Sequence, residues 1–370
     1  MEFTVSRSEL VRELSLSQGV VEKKTTIPIL SNVLVEADGN RVTLTATDLE
    51  LGIRCGCPAR VKKEGAGTVP ARKLLDYVRL LPEGDVQVKV QENHWASLVS
   101  GRSRTRIAGM SRESFPELPE MPAALAEIPI GVLASMIGKT VFSISSEESR
   151  FTLNGALLVL KKGGLVVVAT DGHRLAMVES ADEIPTISDS YRALLPRKAM
   201  VELQKLASES QPESLVRFSG DENHLFFELG ERLLMSRKLT GNFPDYERVL
   251  PKEHPLSVTL SRDELKGAIE RVAQFSDERS RSIRLTMAPG ELKIHSSVSE
   301  TGESEESIPT EYEGDTIEIG FNAEYLLDFL RAISGEQVEF LFKDPQSAGE
   351  LRPAGAGREH YRYVIMPMRI

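Results

Sequence analysis

The sequence contains only two cysteines, Cys55 and Cys57, in 370 residues. They are too close together in the chain for a disulfide between them to cross-link a domain. No second Cys or His pair occurs at the spacing that a zinc site requires. This scarcity argues against a disulfide-built secreted domain and against a structural zinc site. We interpret both cysteines as reduced strand residues of a cytoplasmic protein.

Long apolar runs are missing as well. No run reaches the roughly 18 residues that are needed to span a bilayer, and residues 1–7 lack the apolar core of a signal peptide. We therefore expect a soluble, cytoplasmic protein with no membrane partner.

Common catalytic and nucleotide-binding motifs are also absent from the sequence. It has no Gly-rich phosphate loop and no Gly-x-Ser-x-Gly elbow. We therefore predict no catalytic residue, no metal site and no cofactor. The histidines lack metal-ligand spacing to one another, and they are His94, His173, His224, His254, His295 and His360.

One polar cluster, residues 169–175, keeps an enzymatic alternative open. Asp171 and His173 stand two residues apart, and such a pair suits general acid–base work in a hydrolase or a nuclease. At the end of a strand, residues of this kind more often form a turn in which Asp and Gly set the backbone. No candidate nucleophile or metal set accompanies the pair, so we predict that the protein is not an enzyme.

Three stretches of the chain align at a constant offset of 126 residues, namely 69–79, 195–205 and 321–331. The alignment matches charge as well as hydrophobicity, because an acid recurs at one position and a base follows it three residues later. The chain therefore contains three similar modules. The acid–base pairs are Asp76 with Arg79, Glu202 with Lys205, and Asp328 with Arg331.

Each module is predicted to place two helices on a largely antiparallel sheet, an α+β fold. Apolar residues recur at helical spacing after a Pro or Asn start signal, and short alternating runs such as 42–46, 165–169 and 316–319 indicate strands. Two equivalent Pro-rich connectors, 115–122 and 243–251, place the domains at 1–125, 126–253 and 254–370. The predicted helices are 6–17, 70–81, 128–140, 196–207, 261–275 and 322–334.

The formal net charge is −10, which alone argues against a nucleic-acid partner. The six helical segments, however, contain 13 basic and nine acidic residues, so they carry +4 and the remainder carries −14. A mildly basic helical face on an acidic body suits loose contact with phosphates. Charged helix faces that are merely solvated are the alternative, and the threefold recurrence of a base favours the first interpretation.

Several motifs together resemble one family, the bacterial sliding clamps that form the β subunit of DNA polymerase III. The match runs from Phe3 to the last residue, and the strings 170–175 and 366–369 are its most specific parts. The motifs are Asn154-Gly155, Ala169-Thr170-Asp171-Gly172-His173-Arg174-Leu175, Phe243-Pro244-Asp245-Tyr246, Arg248-Val249-Leu250-Pro251 and Tyr363-Val364-Ile365-Met366-Pro367-Met368-Arg369-Ile370.

The resemblance implies a head-to-tail homodimer that closes into a ring around double-stranded DNA, with helices lining the channel and each chain forming half of the ring. It implies a processivity factor that binds DNA without sequence preference. The implied protein partners are the DNA polymerase III α subunit, the clamp loader, and other polymerases and repair proteins that carry clamp-binding peptides. A specialised second clamp that confers drug resistance is the alternative within the family.

The resemblance also implies a pocket for partner peptides. Its methionines and aliphatic side chains would form a deformable apolar groove, while Arg or backbone groups orient the peptide. Taken alone, Met366 and Met368 would more readily be interpreted as core residues at a chain end. The implied pocket residues are Leu153, Thr170, Gly172, His173, Arg174, Leu175, Pro244, Arg248, Val249, Val364, Met366, Pro367 and Met368.

Contacts with DNA are implied by the resemblance for Lys24, Arg72 and Arg197. We add Lys73, Lys198 and Lys205 from the charge pattern. Lys24 stands where some family members have Arg, which makes a two-pronged phosphate contact less favourable there.

A dimer seam is expected between module one and module three of the other chain. Three bases at period two share one face of a strand, and an acidic stretch is complementary to them; both would be edge strands in need of a partner. Two unrelated solvated surfaces are the alternative. The bases are Arg102, Arg104 and Arg106, the acids are Glu300, Glu303, Glu305 and Glu306, and Phe275 is the apolar anchor. The chain departs from the family nearby, at Ser280 and in the Gly/Ala-rich loop 348–357.

Overall fold

The computed structural model describes residues 1–21, 26–180, 190–299, 302–355, 357 and 359–369. Lys24 and Glu300, predicted for DNA contact and for the dimer seam, therefore lie outside the described residues. Six α-helices occur in the described part: α1 (Arg7–Gln18), α2 (Ala71–Leu80), α3 (Ile130–Gly138), α4 (Arg197–Ser208), α5 (Arg262–Val272) and α6 (Ala323–Ala332).

The strands of the described residues pair antiparallel throughout. In the first module they are β1 (Glu2–Ser6), β2 (Asn32–Asp38), β3 (Arg41–Thr47), β4 (Leu51–Pro58), β5 (Arg60–Lys63), β6 (Gly65–Pro70), β7 (Asp85–Val90), β8 (Trp95–Ser100) and β9 (Ser103–Ala108). In the second they are β10 (Ala126–Pro129), β11 (Gly155–Lys161), β12 (Gly164–Thr170), β13 (Arg174–Ser180), β14 (Tyr191–Pro196), β15 (Leu215–Gly220), β16 (His224–Leu229) and β17 (Arg232–Arg237). In the third they are β18 (Leu256–Ser261), β19 (Ser282–Ala288), β20 (Glu291–Val298), β21 (Gly302–Pro309), β22 (Ile317–Asn322), β23 (Gln337–Phe342), β24 (Gly349–Pro353) and β25 (Glu359–Ile365).

The chain divides into two compact units. Unit 1 comprises residues 1–134 and 198–238. It contains a five-stranded sheet in the order β5-β1-β7-β8-β9 and an eight-stranded sheet in the order β10-β15-β16-β17-β4-β3-β2-β6. Helices α1 and α2 pack against each other, and α1 also packs on β3 and β4.

Unit 2 comprises residues 135–197 and 239–370. It contains an eight-stranded sheet in the order β14-β11-β12-β13-β25-β24-β23-β18 and a four-stranded sheet in the order β21-β20-β19-β22. Helices α5 and α6 pack against each other, and α5 also packs on β20 and β21.

The predicted α+β class with two helices in each module is confirmed, and each helix begins and ends within three residues of its predicted bounds. The side chains at the apolar helical positions are buried, as at Leu10 and Leu14 of α1 and at Leu326 and Phe329 of α6. Asn322 caps α6, because its side chain accepts hydrogen bonds from the backbone of residues 324 and 325.

One expectation about local structure is wrong. Residues 349–353 form β24 in an eight-stranded sheet, although the sequence treats them as part of a divergent loop, 348–357. Gly349 is needed there because a Cβ at this position would lie only 2.9 Å from the Phe340 ring and 3.0 Å from the Phe321 ring. Gly349 is therefore a strand residue that leaves room for two phenylalanine rings, and it does not indicate a loop.

Both cysteines lie in β4 with buried, free thiols, as the sequence predicted. Burial, together with the nearby Glu13 carboxylate, raises the pKa of both thiols, that of Cys57 to about 12. Since the thiolate is the reactive form, we expect neither cysteine of the native chain to react with iodoacetamide near neutral pH. Both should react in concentrated guanidinium chloride. Counting labelled thiols by mass spectrometry checks this, and labelling of the native chain would contradict it.

Candidate functional site

A cavity of about 120 Å³ opens in unit 2 between the turn at 170–174, the segment 244–249 and the end of β25. This volume resembles that of engineered cavities that accept a benzene ring, so it accommodates one or two apolar side chains rather than a whole ligand. Ten of the thirteen predicted pocket residues line it. They are Leu153, Thr170, Gly172, His173, Arg174, Leu175, Pro244, Val249, Val364 and Met366.

The cavity wall combines a fixed floor with a movable rim. Leu175 and Val364 are buried and belong to one apolar cluster, whereas Val249 and Met366 are 44% and 48% exposed. Methionine adapts its shape to what it contacts. An entering apolar side chain would therefore meet a rigid base and an adjustable edge.

Tyr246 also lines the cavity, although it was not predicted as a pocket residue. It is buried in a 3₁₀ turn, Tyr246–Arg248, that follows Pro244. Burial raises the pKa of its hydroxyl. Its place in the Phe243-Pro244-Asp245-Tyr246 motif was the signal that could have identified it.

Three predicted pocket residues do not line the cavity. The side chain of Arg248 is 86% exposed and pairs with Asp245 at 2.9 Å. Pro367 follows Met366 outside the lining, and Met368 donates its backbone N–H to the Gly320 carbonyl at 2.8 Å. Met368 is thus joined by its backbone to Gly320 of β22.

The turn that forms one wall is built by its own side chains. Thr170 Oγ1 accepts from the Gly172 N–H at 3.1 Å and donates to the Arg174 carbonyl at 2.6 Å. Gly172 has φ = +89°, a backbone conformation in which a glycine avoids steric cost. The backbone N–H of Met366 then donates to the His173 carbonyl at 2.9 Å, which joins the turn to the end of β25.

Asp171 forms the turn that the sequence offered as the alternative to an acid–base pair. Its Oδ1 accepts from the backbone N–H groups of His173 and Arg174 at 2.9 and 3.0 Å. The carboxylate thus sets the backbone instead of orienting an imidazole. Among the described residues, no three His, Cys, Asp or Glu side chains are grouped so that they could hold a metal ion.

Arg174 is held in place by bonds from its guanidinium. Its guanidinium donates to Asp171 at 3.1 Å, to Asp328 at 2.6 Å and to the Phe142 carbonyl at 2.6 Å. Only 9% of the side chain is exposed. These bonds tie the turn to α6, which leaves little of the guanidinium for a ligand.

Aromatic rings complete the surroundings of Arg174. The guanidinium carbon lies 4.2 Å from the centroid of the Tyr325 ring, a cation–π geometry. Burial disfavours the charged guanidinium, but the Tyr363 hydroxyl and the Asp328 carboxylate outweigh it and raise the pKa of Arg174. The charge is therefore permanent.

The predicted DNA-contact residues fall into two groups. Arg72, Lys73 and Arg197 are exposed at the starts of α2 and α4, and Arg72 lies 3.8 Å from the Asp76 carboxylate. Lys198 pairs with Asp48, and Lys205 pairs with the buried Glu202 at 2.6 Å. A base that is paired with a carboxylate contributes less to a phosphate-attracting field, so Lys73 and Arg197 carry more of the expected potential.

The predicted seam strands are both edge strands, because β9 and β21 each end a sheet. Arg102, Arg104 and Arg106 are exposed, and Arg106 lies 5.0 Å from the centroid of the Trp95 ring. Open strand edges of this kind favour pairing with another chain.

The acidic side of the seam differs from its prediction. Glu303 and Glu305 are exposed on one face of β21, whereas Glu306 lies on the other face and accepts from Arg271 of α5 at 2.6 and 3.0 Å. The hydrogen bond from Arg271 lowers the pKa of Glu306. Alternation along a strand separates neighbouring residues in this way. Phe275 is partly exposed beside the start of β21, since a Cβ on Gly302 would lie 3.7 Å from its ring.

No helix within the described residues has the length and apolar content to cross a membrane.

Comparison with known proteins accounts for all three modules. Residues 1–119, 127–245 and 247–369 match the N-terminal, central and C-terminal domains of the family described as DNA polymerase III beta subunit. The beta sliding clamp of Pseudomonas aeruginosa is 39% identical over 377 residues, which covers 100% of both chains. That of Caulobacter vibrioides is 37% identical over 384 residues with the same coverage.

Solved structures agree in fold over the whole length. A crystal structure of the DNA polymerase III beta sliding clamp of Pseudomonas aeruginosa bound to griselimycin has a TM-score of 0.94 at 38% identity and covers 100% of both chains. A sliding clamp from Bacillus subtilis has a TM-score of 0.93 at 26% identity and covers 100% of this chain and 99% of its own. The chain belongs to the DNA polymerase III beta subunit family.

Proposed function

We propose that this chain is a DNA sliding clamp, a non-catalytic ring of two copies that encircles duplex DNA in the cytoplasm and keeps the replicative polymerase on it. The observation that carries the proposal is the full-length similarity of all three modules to proteins named beta sliding clamp. Three domains at 1–125, 126–253 and 254–370 would then provide half of the ring.

The charge distribution suits this way of holding DNA. A ring retains DNA by its closed topology, so contacts with phosphates can stay weak and the ring can slide. Exposed bases such as Arg72 and Arg197 at helix starts provide weak contacts on a chain whose net charge is −10. A polymerase bound to the ring is held at high effective concentration near the primer end, which turns dissociation into immediate rebinding.

Closure of the ring is assigned to the two open strand edges. Pairing of β9 from one copy with β21 from the other would satisfy both edges and set Arg104 opposite an acidic face that includes Glu305. Phe275 flanks β21 and would add a desolvated apolar contact. Such a pairing is head-to-tail, since the two edges belong to different modules.

The cavity in unit 2 is assigned to partner peptides of the polymerase α subunit, the clamp loader and other polymerases and repair proteins. Its size fits one or two apolar anchors, and the exposed Met366 and Val249 at the rim suit a site that accepts several sequences. Peptides with Gln followed by Leu and Phe are expected to bind with micromolar strength.

Met366→Glu should weaken binding of such a peptide at least about tenfold, on the order of 1.4 kcal/mol. The new carboxylate would stand at the rim, where an apolar peptide cannot compensate its desolvation. Titration of a fluorescently labelled peptide measures the effect. The dimer and the melting temperature should stay largely unchanged, because the Met366 side chain is half exposed.

Leu215→Glu is the matched control, because Leu215 is also half exposed but lies in β15 of unit 1 and does not line the cavity. Peptide affinity should be unchanged in this variant. In primer extension on a loaded circular template, the wild type and the control should both lengthen the products, and Met366→Glu should not. If Met366→Glu gives products as long as those of the wild type, this cavity does not tether the polymerase.

A further inference from the structure

A second cavity, of about 340 Å³, opens in unit 1 beside the turn that joins β3 to β4. Its lining includes Thr47, Leu49, Pro116, Leu118, Met235 and Arg237. These residues come from three segments, the turn, a Phe-Pro connector and the end of β17, as the unit 2 cavity is lined by its own turn, connector and the end of β25. The resemblance extends to individual hydrogen bonds.

The turn at 47–51 repeats the turn at 170–174 at an offset of 123 residues. Thr47 Oγ1 accepts from the Leu49 N–H at 3.0 Å and donates to the Leu51 carbonyl at 2.9 Å. Asp48 Oδ1 accepts from the backbone N–H groups of Glu50 and Leu51, at 2.9 and 2.6 Å. Thr170 and Asp171 make the same bonds in unit 2.

The opposite wall repeats as well. Strand β17 pairs with β4 as β25 pairs with β13, and each pairing ends in one further bond. In unit 1 the Arg237 N–H donates to the Glu50 carbonyl at 2.8 Å; in unit 2 the Met366 N–H donates to the His173 carbonyl at 2.9 Å. Arg237 therefore occupies the place of Met366. A Phe-Pro connector supplies the third wall in both units, with Pro116 in the place of Pro244.

Leu49 is the main departure from the unit 2 pattern. It stands where unit 2 has Gly172, and it keeps the left-handed backbone, with φ = +77°. A leucine in this conformation is strained, and the side chain is 47% exposed at the cavity mouth instead of buried in a core. Neither backbone nor packing explains a leucine here, whereas an apolar contact with a ligand does.

The floor and rim are also altered. Gly52 stands in the place of Leu175, and a Cβ on it would lie 3.0 Å from Leu118 and 3.2 Å from Met235, so these two side chains fill the missing leucine's space. The rim is charged: Glu117 lines it, and Glu50 pairs with Arg237 at 3.0 Å. His224 is hydrogen-bonded to Asp221 at 3.1 Å, which adds another carboxylate to the surroundings.

We propose that this cavity is a second peptide site, which binds an extended partner segment that has an aliphatic or aromatic anchor next to Lys or Arg. The anchor would contact Leu49, Leu118 and Met235, and the base would face Glu117, since Glu50 is already paired with Arg237. The proposal rests on the proposed function, because its ligand class follows from the repeat of a peptide pocket. Glu117 at the rim makes the second site more selective for basic peptides than the first.

Methionine methyl groups report on the two cavities separately, since Met235 lines one and Met366 the other. The full chain, labelled with ¹³C at its methionine methyls, is titrated with acetyl-Gln-Ser-Leu-Phe-amide and with the same peptide extended by two lysines. We expect the lysine peptide to shift the Met235 resonance saturably, with a dissociation constant roughly tenfold above that followed at Met366. The neutral peptide should bind the Met235 site several-fold more weakly.

Leu49→Asn tests the anchor contact, because asparagine tolerates the left-handed backbone and removes the apolar side chain. It should reduce binding at Met235 at least roughly fivefold, keep binding at Met366 and keep or raise the melting temperature. Leu215→Asn is the control and should change neither response. Met366→Glu removes the reporter methyl of the first site, and the Met235 response of that variant should stay unchanged.

Each failure is distinguishable. If the Met366 resonance shifts saturably but the Met235 resonance does not, the second site is overturned and the proposed function stays intact. A Met235 response that Leu49→Asn does not alter also overturns it. If neither methionine responds to either peptide, the peptide pocket of the proposed function fails, and the second site fails with it.

Discussion

Arg174→Met should lower the free energy of unfolding by about 3 kcal/mol, the cost of breaking a buried ion pair by removing one partner. The substitution leaves Asp171 and Asp328 without their shared cation and the Phe142 carbonyl without its donor. The turn at 170–174 would then lose its link to α6. Thermal unfolding measures the effect, and a loss of this size corresponds to roughly 6–12 °C for a unit of such size.

Arg248→Met is the matched control for stability, because its side chain is 86% exposed and its pair with Asp245 is solvated. Exposed pairs contribute about 0–1 kcal/mol. The melting temperature of this variant should therefore stay within a degree or two of the wild type. Equal melting temperatures for the two variants would contradict the structural role of Arg174.

Phe275→Arg should yield a folded monomer. A desolvated apolar anchor contributes more than screened rim charges, and its loss should raise the dimer dissociation constant at least about 30-fold, the roughly 2 kcal/mol of a hot-spot residue. The fold should survive because Phe275 is partly exposed next to Gly302. Analytical ultracentrifugation across a concentration series measures the change.

Two acidic variants sharpen this test. Glu305→Lys should weaken the dimer, since Glu305 is on the exposed face of β21, while Glu306→Lys should act mainly on the contact with Arg271. Combining Glu305→Lys with Arg104→Glu should recover part of the lost affinity. An unchanged dimer in Phe275→Arg and Glu305→Lys would place the seam on another part of the chain.

The helices and their buried faces were predictable because apolar residues recur at helical spacing and the same pattern is repeated from module to module. The pairs Leu10 with Leu14 and Leu265 with Ile269 recur at equivalent places, and all four side chains are buried. Strand assignment failed at Gly349, where the need to fit beside two phenylalanine rings looks like a loop in the sequence. A glycine in a loop and a glycine packed against large side chains in a strand look the same in the local sequence.

The sequence predicted which residues line the cavity better than it predicted what each residue does there. Most lining residues were identified, but Arg174 was expected to meet a ligand, and its partner Asp328 lies 154 residues away in the chain. Glu306 was grouped with Glu303 and Glu305, although alternation along β21 turns it toward Arg271. Burial and long-range pairing decide these roles, and neither is a local property of the sequence.

Retention on circular DNA tests the central claim most directly. The labelled chain is loaded on a nicked circle by a clamp loader with ATP, separated from free protein, and followed before and after a restriction enzyme linearises the DNA. A ring held by topology should stay on the circle at least roughly tenfold longer than on the linear product. Equal release from circle and linear DNA would contradict a clamp that encircles its substrate.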